Sequence, residues 1–238
     1  MFICHEIKGI GKGDFMFNIE EYMARLIRLL KETFGERLLY VGLQGSFLRG
    51  EAKPNSDIDV MVVINDLSVW DMDAYRTILQ TIGDYERSCG FICSKQDLAA
   101  WNPLEICHVL HSTKDYHGVL RDLIPVYTAQ DIRNFVKMSL NNLYHEICHR
   151  YIHADLHKNI ETLPQTYKGV FFILQNWYYL THGRFVVTKA ELLRLLDGKN
   201  KAILERAVAF GNGESCDFAE NFALLFTWSQ EMLASVSS

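Results

Sequence analysis

The chain has 238 residues, 49% of them hydrophobic and 22% charged, which is too apolar for a disordered chain and long enough to bury a sizeable core. Lysine and arginine total 24 and aspartate and glutamate 29, a net charge of 24 − 29 = −5. That balance argues against a dedicated nucleic-acid coat or a polybasic membrane binder, and leaves room only for a local basic groove.

The opening stretch MFICHEIKGIGKGD has no basic start followed by an apolar core, so it does not read as a secretory signal. Apolar residues at Ile19, Tyr22, Met23, Leu26, Ile27, Leu30 and Phe34 recur every three or four positions and predict an amphipathic helix beginning near Asn18. Leu38 to Leu43 and Ile58 to Ile64 are short apolar runs, the second rich in β-branched residues, and both predict buried strands. Asp71 to Ile82 reads as a helix, and Gly90 to Cys93 as a weaker third strand. Beyond Pro125 the period becomes helical, interrupted only by Pro164. Helices are expected at Ala129 to His157, Thr166 to His182, Lys189 to Leu196, Ala202 to Phe210 and Phe218 to Ala234. This pattern predicts two domains, 1–125 with a mixed sheet and 126–238 as a helical bundle, without a low-complexity linker. No stretch reaches the roughly 18 apolar residues needed to span a bilayer. The six cysteines (Cys4, Cys89, Cys93, Cys107, Cys148, Cys216) include no CxxC pair and read as reduced, mostly buried thiols of a cytoplasmic protein.

Chemistry concentrates between the first two predicted strands, in Gly45-Ser46-Phe47-Leu48-Arg49-Gly50 and then Ser56-Asp57-Ile58-Asp59-Val60. Glycine and serine where a strand turns into a helix present backbone N–H groups and a hydroxyl to phosphate oxygens. Asp57 and Asp59, one residue apart on a strand, face the same way. Together they suit Mg²⁺, a hard cation that usually shares its ligands with substrate phosphates. The bland alternative, turn glycines and two surface acids, fits poorly with a strand that is apolar on both faces from Val60 to Ile64.

The stretch Leu43 to Ile64 resembles the signature of the DNA polymerase β-like nucleotidyltransferases, and GSFLRGEAKPNSDIDVMVVI looks most like the aminoglycoside nucleotidyltransferases. That resemblance implies an α+β fold, a polymerase β-like mixed-sheet domain followed by a helical bundle. It also implies transfer of a nucleoside monophosphate from a Mg²⁺-bound nucleoside triphosphate, by default ATP, to a hydroxyl of a small-molecule acceptor. Asp57 and Asp59 would hold the metal, and Gly45 and Ser46 the terminal phosphates. Arg49 and Lys53 are further candidate cations. An aminoglycoside-like acceptor is expected because the acidic chain would attract a polycation. In the helical half, NWYYLTHGRFVVTKAELLRLL is similar to a segment of aminoglycoside adenylyltransferases that would bring Lys189 to the nucleotide phosphates. Gln175 stands where that family often has arginine, and the spacing from Gly183 to Lys189 is one residue longer.

The family usually adds a third carboxylate on the neighbouring strand, the base that takes the acceptor's proton. Cys89 to Ser94 contains no acid. Likeness to kanamycin nucleotidyltransferase-like enzymes points instead to Glu146, with Arg150 one turn on; an i, i+4 surface ion pair is the plainer reading of the two. Asp97 and Glu105 are the other substitutes. The missing acid also supports a rival reading, a catalytically degenerate nucleotide-binding or antitoxin-like partner protein.

Three other patterns compete. His145-Glu146-Ile147-Cys148-His149 matches HExxH, but His153 and His157 continue the spacing and no third zinc ligand segment follows. Arg150 and His157 match the spacing of HEPN-type ribonucleases, a short pattern that arises readily by chance. Of Trp177, Tyr178 and Tyr179, helical spacing assigns at least two to the core.

Overall fold

The computed structural model describes residues 17–215 and 217–237. Cys4, Cys216 and the opening stretch therefore lie outside the described residues. Helix α1, Ile19–Phe34, starts where the Asn18 side chain accepts the N–H groups of Glu20 and Glu21. This satisfies two of the donors that a helix start leaves open. Strand β1 is Leu38–Leu43, a short helix α2 is Gly45–Arg49, and β2 is Ile58–Ile64. Helix α3, Val69–Ile82, opens with a capping box between Ser68 and Asp71. Strand β3 runs Ser88–Ser94, then α4 Lys95–Ala99, α5 Pro103–His111 and β4 Lys114–His117.

The sheet order is β3-β2-β1-β4. Strands β1 and β2 are antiparallel, β1 and β4 antiparallel, and β2 and β3 parallel, with Asp59 opposite Cys89. A parallel neighbour requires a crossover, which α3 supplies. Gly90, at φ +101, is where β3 lies against β2; a Cβ there would meet the Val60 carbonyl oxygen at 2.1 Å. Alternate residues of β1 and β2 face two apolar clusters. On one face Met23, Leu26 and Leu30 of α1 and Ile78 of α3 pack on Val41, Val60 and Val62. On the other, Leu98 and Ile106 pack on Tyr40, Met61 and Val63.

Five helices follow: α6 Ala129–His153, α7 Leu156–His182, α8 Lys189–Leu195, α9 Gly198–Gly211 and α10 Phe218–Ser237. Their apolar cluster draws its buried members only from Val136 onward, with α7 supplying Tyr167, Val170, Phe171, Ile173 and Leu174.

Three expectations need correction. The predicted helix Ala129 to His157 ends at His153, because Ala154 is extended and the Asp155 side chain accepts the Lys158 N–H to start α7. Helix α7 then runs through Pro164 instead of beginning at Thr166. Packing of Leu163 and Tyr167 offsets the lost backbone donor. The thiols are also less uniformly buried than expected: Cys93 and Cys107 are buried, but Cys89 is exposed.

Trp228 of α10 is 1% exposed, and its indole N–H donates to Asn200 Oδ1 at 2.8 Å. Trp228→Ala is expected to lower the free energy of unfolding by about 3–5 kcal/mol, read from urea titration.

Candidate active site

The acidic end of the site is placed by the way β1 turns into α2. The Gln44 N–H donates to the Asp59 carbonyl at 2.8 Å, and the Gln44 side-chain amide donates to Thr113 Oγ1 at 2.7 Å. These contacts lock the end of β1 to β2 and to the chain just ahead of β4. Gly45 follows at φ +68, and a Cβ there would lie 1.9 Å from Asp59 Oδ2. Backbone and carboxylate thus meet at a distance no side chain permits. Helix α2 is closed by Gly50 in the left-handed conformation, and the Glu51 N–H returns to the Ser46 carbonyl at 2.9 Å.

A cleft of about 900 Å³ opens over this turn, between the sheet and the helices α7 to α9. Gly45, Ser46, Arg49, Asp57 and Asp59 line it, and so does Lys189. Asp57 is exposed and Asp59 half-buried. Their position at the start of β2, beside a glycine that leaves room, suits a hard divalent cation whose remaining ligands come from phosphate and water.

Glu51 and Lys53 tie the two walls. The Lys189 backbone N–H donates to Glu51 Oε1 at 3.0 Å, and Arg49 Nε donates to Glu51 Oε2 at 3.0 Å. Lys189 Nζ lies 3.9 Å from the same carboxylate. Lys53 Nζ donates to the Gly211 carbonyl at 3.0 Å, near the end of α9. Burial pushes the Lys189 amine down, helped by the charges of Arg49, Lys53 and Lys168 and opposed by Glu51.

His108 of α5 lines the cleft and is set among Phe135, Phe172 and Phe185. Burial, then the nearby charges of Arg49 and His111, push its imidazole down to about 4. The Asn176 side-chain amide lies 3.2 Å from His108 Nδ1 and donates to it if the ring carries its proton on Nε2.

Glu146 is not brought to the pair. It lines a separate surface groove with Asn142, His145, His149 and Arg150. There it pairs with Arg150 at 2.9 Å and accepts from Thr166 Oγ1 at 3.1 Å. The expectation that the start of the helical half turns this carboxylate toward Asp57 and Asp59 is corrected: residue 146 falls on the stripe of α6 that meets α7. Asp97 is spent on the Ser94 capping box, and Glu105 is exposed outside the cleft. The parallel register puts Cys89 opposite Asp59, on the strand where the sequence resemblance led us to expect a third acid. Burial raises the Cys89 thiol's pKa, and the Asp59 and Asp57 charges raise it further.

None of Trp177, Tyr178 and Tyr179 lines the cleft; Tyr178 is buried in the helical core. His145, His149 and His153 form a row of rings along α6. Among the described residues no three His, Cys, Asp or Glu side chains converge as a metal-binding group. Sequence reasoning missed Glu51, Lys168 and His108. Glu51 lay inside the recognised motif, whereas Lys168 and His108 carry no local signal.

Residues 23–97 match the family model of the nucleotidyltransferase domain, so the chain carries a domain of that class. Its fold is shared with spectinomycin adenyltransferase AAD(9) from Enterococcus faecialis, solved with ATP and spectinomycin. The two superimpose with a TM-score of 0.60 at 16% identity, over 91% of this chain and 100% of that one. Two toxin–antitoxin structures overlap less. One, solved with AMP-PNP, has a TM-score of 0.32 at 23% identity over 42% of this chain and 76% of that one. The other, MntA-HepT, has a TM-score of 0.30 at 19% identity over 43% and 75%. No curated protein sequence matches the chain.

Gly45→Ala is expected to abolish detectable nucleotide binding by calorimetry, because the new methyl displaces the Asp59 carboxylate and strains a φ of +68. A variant that binds like the parent would separate Gly45 from the site. His108 makes a second expectation. Its folded pKa, about 4, lies below the ordinary 6.5, so its contribution to stability is complete above pH 6.5 and is lost as pH falls toward 4. Replacing it by Asn should flatten that part of the pH–stability curve measured by thermal melting.

Proposed function

We propose that the protein transfers a nucleoside monophosphate from a Mg²⁺-bound nucleoside triphosphate to a hydroxyl of a small-molecule acceptor. The observation that carries this reading is the convergence of Asp57, Asp59, the Gly45-Ser46 turn and the cations Arg49 and Lys189 on one cleft. ATP as donor, and a small molecule as acceptor, follow from likeness to the neighbour solved with ATP and spectinomycin. The division of labour would fall near residue 125, with the sheet half holding the donor and the helical half shaping the acceptor's place.

In the reaction, the acceptor oxygen bonds to the α-phosphorus while the bond from that phosphorus to the pyrophosphate oxygen breaks. The acceptor's proton leaves to a base. Asp57 and Asp59 would hold Mg²⁺, which when bound offsets the charge of the phosphates. The Ser46 hydroxyl and the amides at the start of α2 orient the terminal phosphates, and Arg49 and Lys189 add fixed positive charge where negative charge develops. Arg49 is itself held in place by Glu51.

A second reading, a nucleotide-binding partner protein without turnover, is favoured by one observation: a thiol, not a carboxylate, stands opposite Asp59. Among the described residues the cleft's remaining acid is Glu51, and Arg49 and Lys189 occupy it. Mg²⁺-dependent pyrophosphate release across a panel of triphosphates and hydroxyl acceptors separates the two readings.

Asp57→Asn and Asp59→Asn are each expected to remove Mg²⁺-dependent triphosphate binding, measured by calorimetry, with the melting temperature unchanged or raised as carboxylate repulsion is relieved. Parent-like binding in both variants would overturn the metal assignment.

A further inference from the structure

Resting on the nucleotidyl-transfer reading, we infer that the acceptor carries no positive charge: it is a neutral hydroxyl compound, not the polycation suggested by the acidity of the whole chain. A polycationic ligand needs carboxylates facing it. The three acids that line the cleft among the described residues, Glu51, Asp57 and Asp59, all come from the sheet side. Two of these are the proposed metal ligands. The third has one oxygen on the Lys189 N–H and the other on Arg49.

The opposite wall offers the reverse charge. From α7, α8 and α9 it presents Lys168 and Lys189, apolar groups such as Phe172 and Leu193, and the neutral amides Gln175 and Asn212. Lys168 is exposed and has no carboxylate partner among the described residues. Lys189 and Arg49 serve the nucleotide in the reading above, which leaves Lys168 as the charge that faces an acceptor from this wall, and a cation beside it would be repelled.

Phe171 is already covered by the protein's own charges, with Arg49 at 5.9 Å and Lys189 at 5.6 Å from its ring centre. His108 is held neutral. One polar atom of this wall is left without a partner: Gln175 Oε1 is buried with no hydrogen bond. The orientation of that amide is fixed, because its Nε2 must donate to the Val186 carbonyl at 2.6 Å. A small shift of this side chain would offer the oxygen to a hydroxyl.

The test compares binding of kanamycin and of its per-N-acetylated derivative by calorimetry, each with and without ATP and Mg²⁺, together with transfer from radiolabelled ATP. The two probes share their hydroxyls and differ in charge. Kanamycin should bind at least about tenfold more weakly than the neutral derivative and receive no label. Lys168→Glu should strengthen kanamycin binding by about tenfold or more, which steric bulk of the acetyl groups would not explain. Kanamycin binding as tightly as the derivative, kanamycin labelling, or failure of both probes to bind would each overturn the inference. The comparison with ATP and Mg²⁺ present decides the charge, because the metal then takes up Asp57 and Asp59. Absence of ATP binding in the parent would overturn the nucleotidyl-transfer reading instead.

Discussion

The contact on which the rest depends is the one between the Gly45 backbone and the Asp59 carboxylate. It brings the end of one strand onto the start of the next, so that the Gly45-Ser46 turn and the Asp59 carboxylate occupy the same few ångströms. A side chain at position 45 would fill the space in which Asp59 lies. The Gln44 N–H bond to the Asp59 carbonyl fixes this approach from the backbone side. Antiparallel pairing of β1 with β2, and burial of Val60 to Ile64, keep the acids at the open end of a strand that is otherwise rigid. Charge concentrated at such a point suits a bound cation, while Arg49 and Lys189 meet the neighbouring Glu51.

Much of this was legible in the sequence. The strand-turn-strand order around Gly45, Ser46, Asp57 and Asp59 is local, and local patterns of alternation and turn chemistry are what a sequence displays. Helix α1 and strands β1 and β2 appear with the bounds that their periodicity predicts. The start of α7 did not, since Pro164 looks like a boundary until tertiary packing is known to hold the helix through it. Strand β4, four residues of mixed polarity, has no apolar pattern at all and exists because β1 has an open edge.

The site's remaining members come from distance in the chain. Lys168 and His108 reach the cleft only because α7 and α5 pass it, and neither has a neighbour in sequence that marks it. Glu146 shows the converse: a plausible spacing and a basic residue one turn on, yet its helical phase turns it to Thr166 and away from the acids. Among the described residues α6 contributes no side chain to the cleft. Cys89 was visible as the absence of an acid. Its register opposite Asp59 required the parallel pairing of β2 and β3.

The two walls of the cleft are joined in unlike ways at its two sides. Where α5 meets the helical half, His108, His111, Tyr127, Phe135, Phe172, Tyr179 and Phe185 form a continuous stack of rings. Where the loop after α2 meets α8 and α9, the join consists of Glu51 on Lys189 and Lys53 on Gly211, half in solvent. Exposed polar contacts contribute about 1 kcal/mol or less each and weaken with salt, whereas packed rings do not. One side of the cleft is therefore held by packed rings and the other by exposed charged and polar contacts. Of the two joins, the second is the one that salt screens.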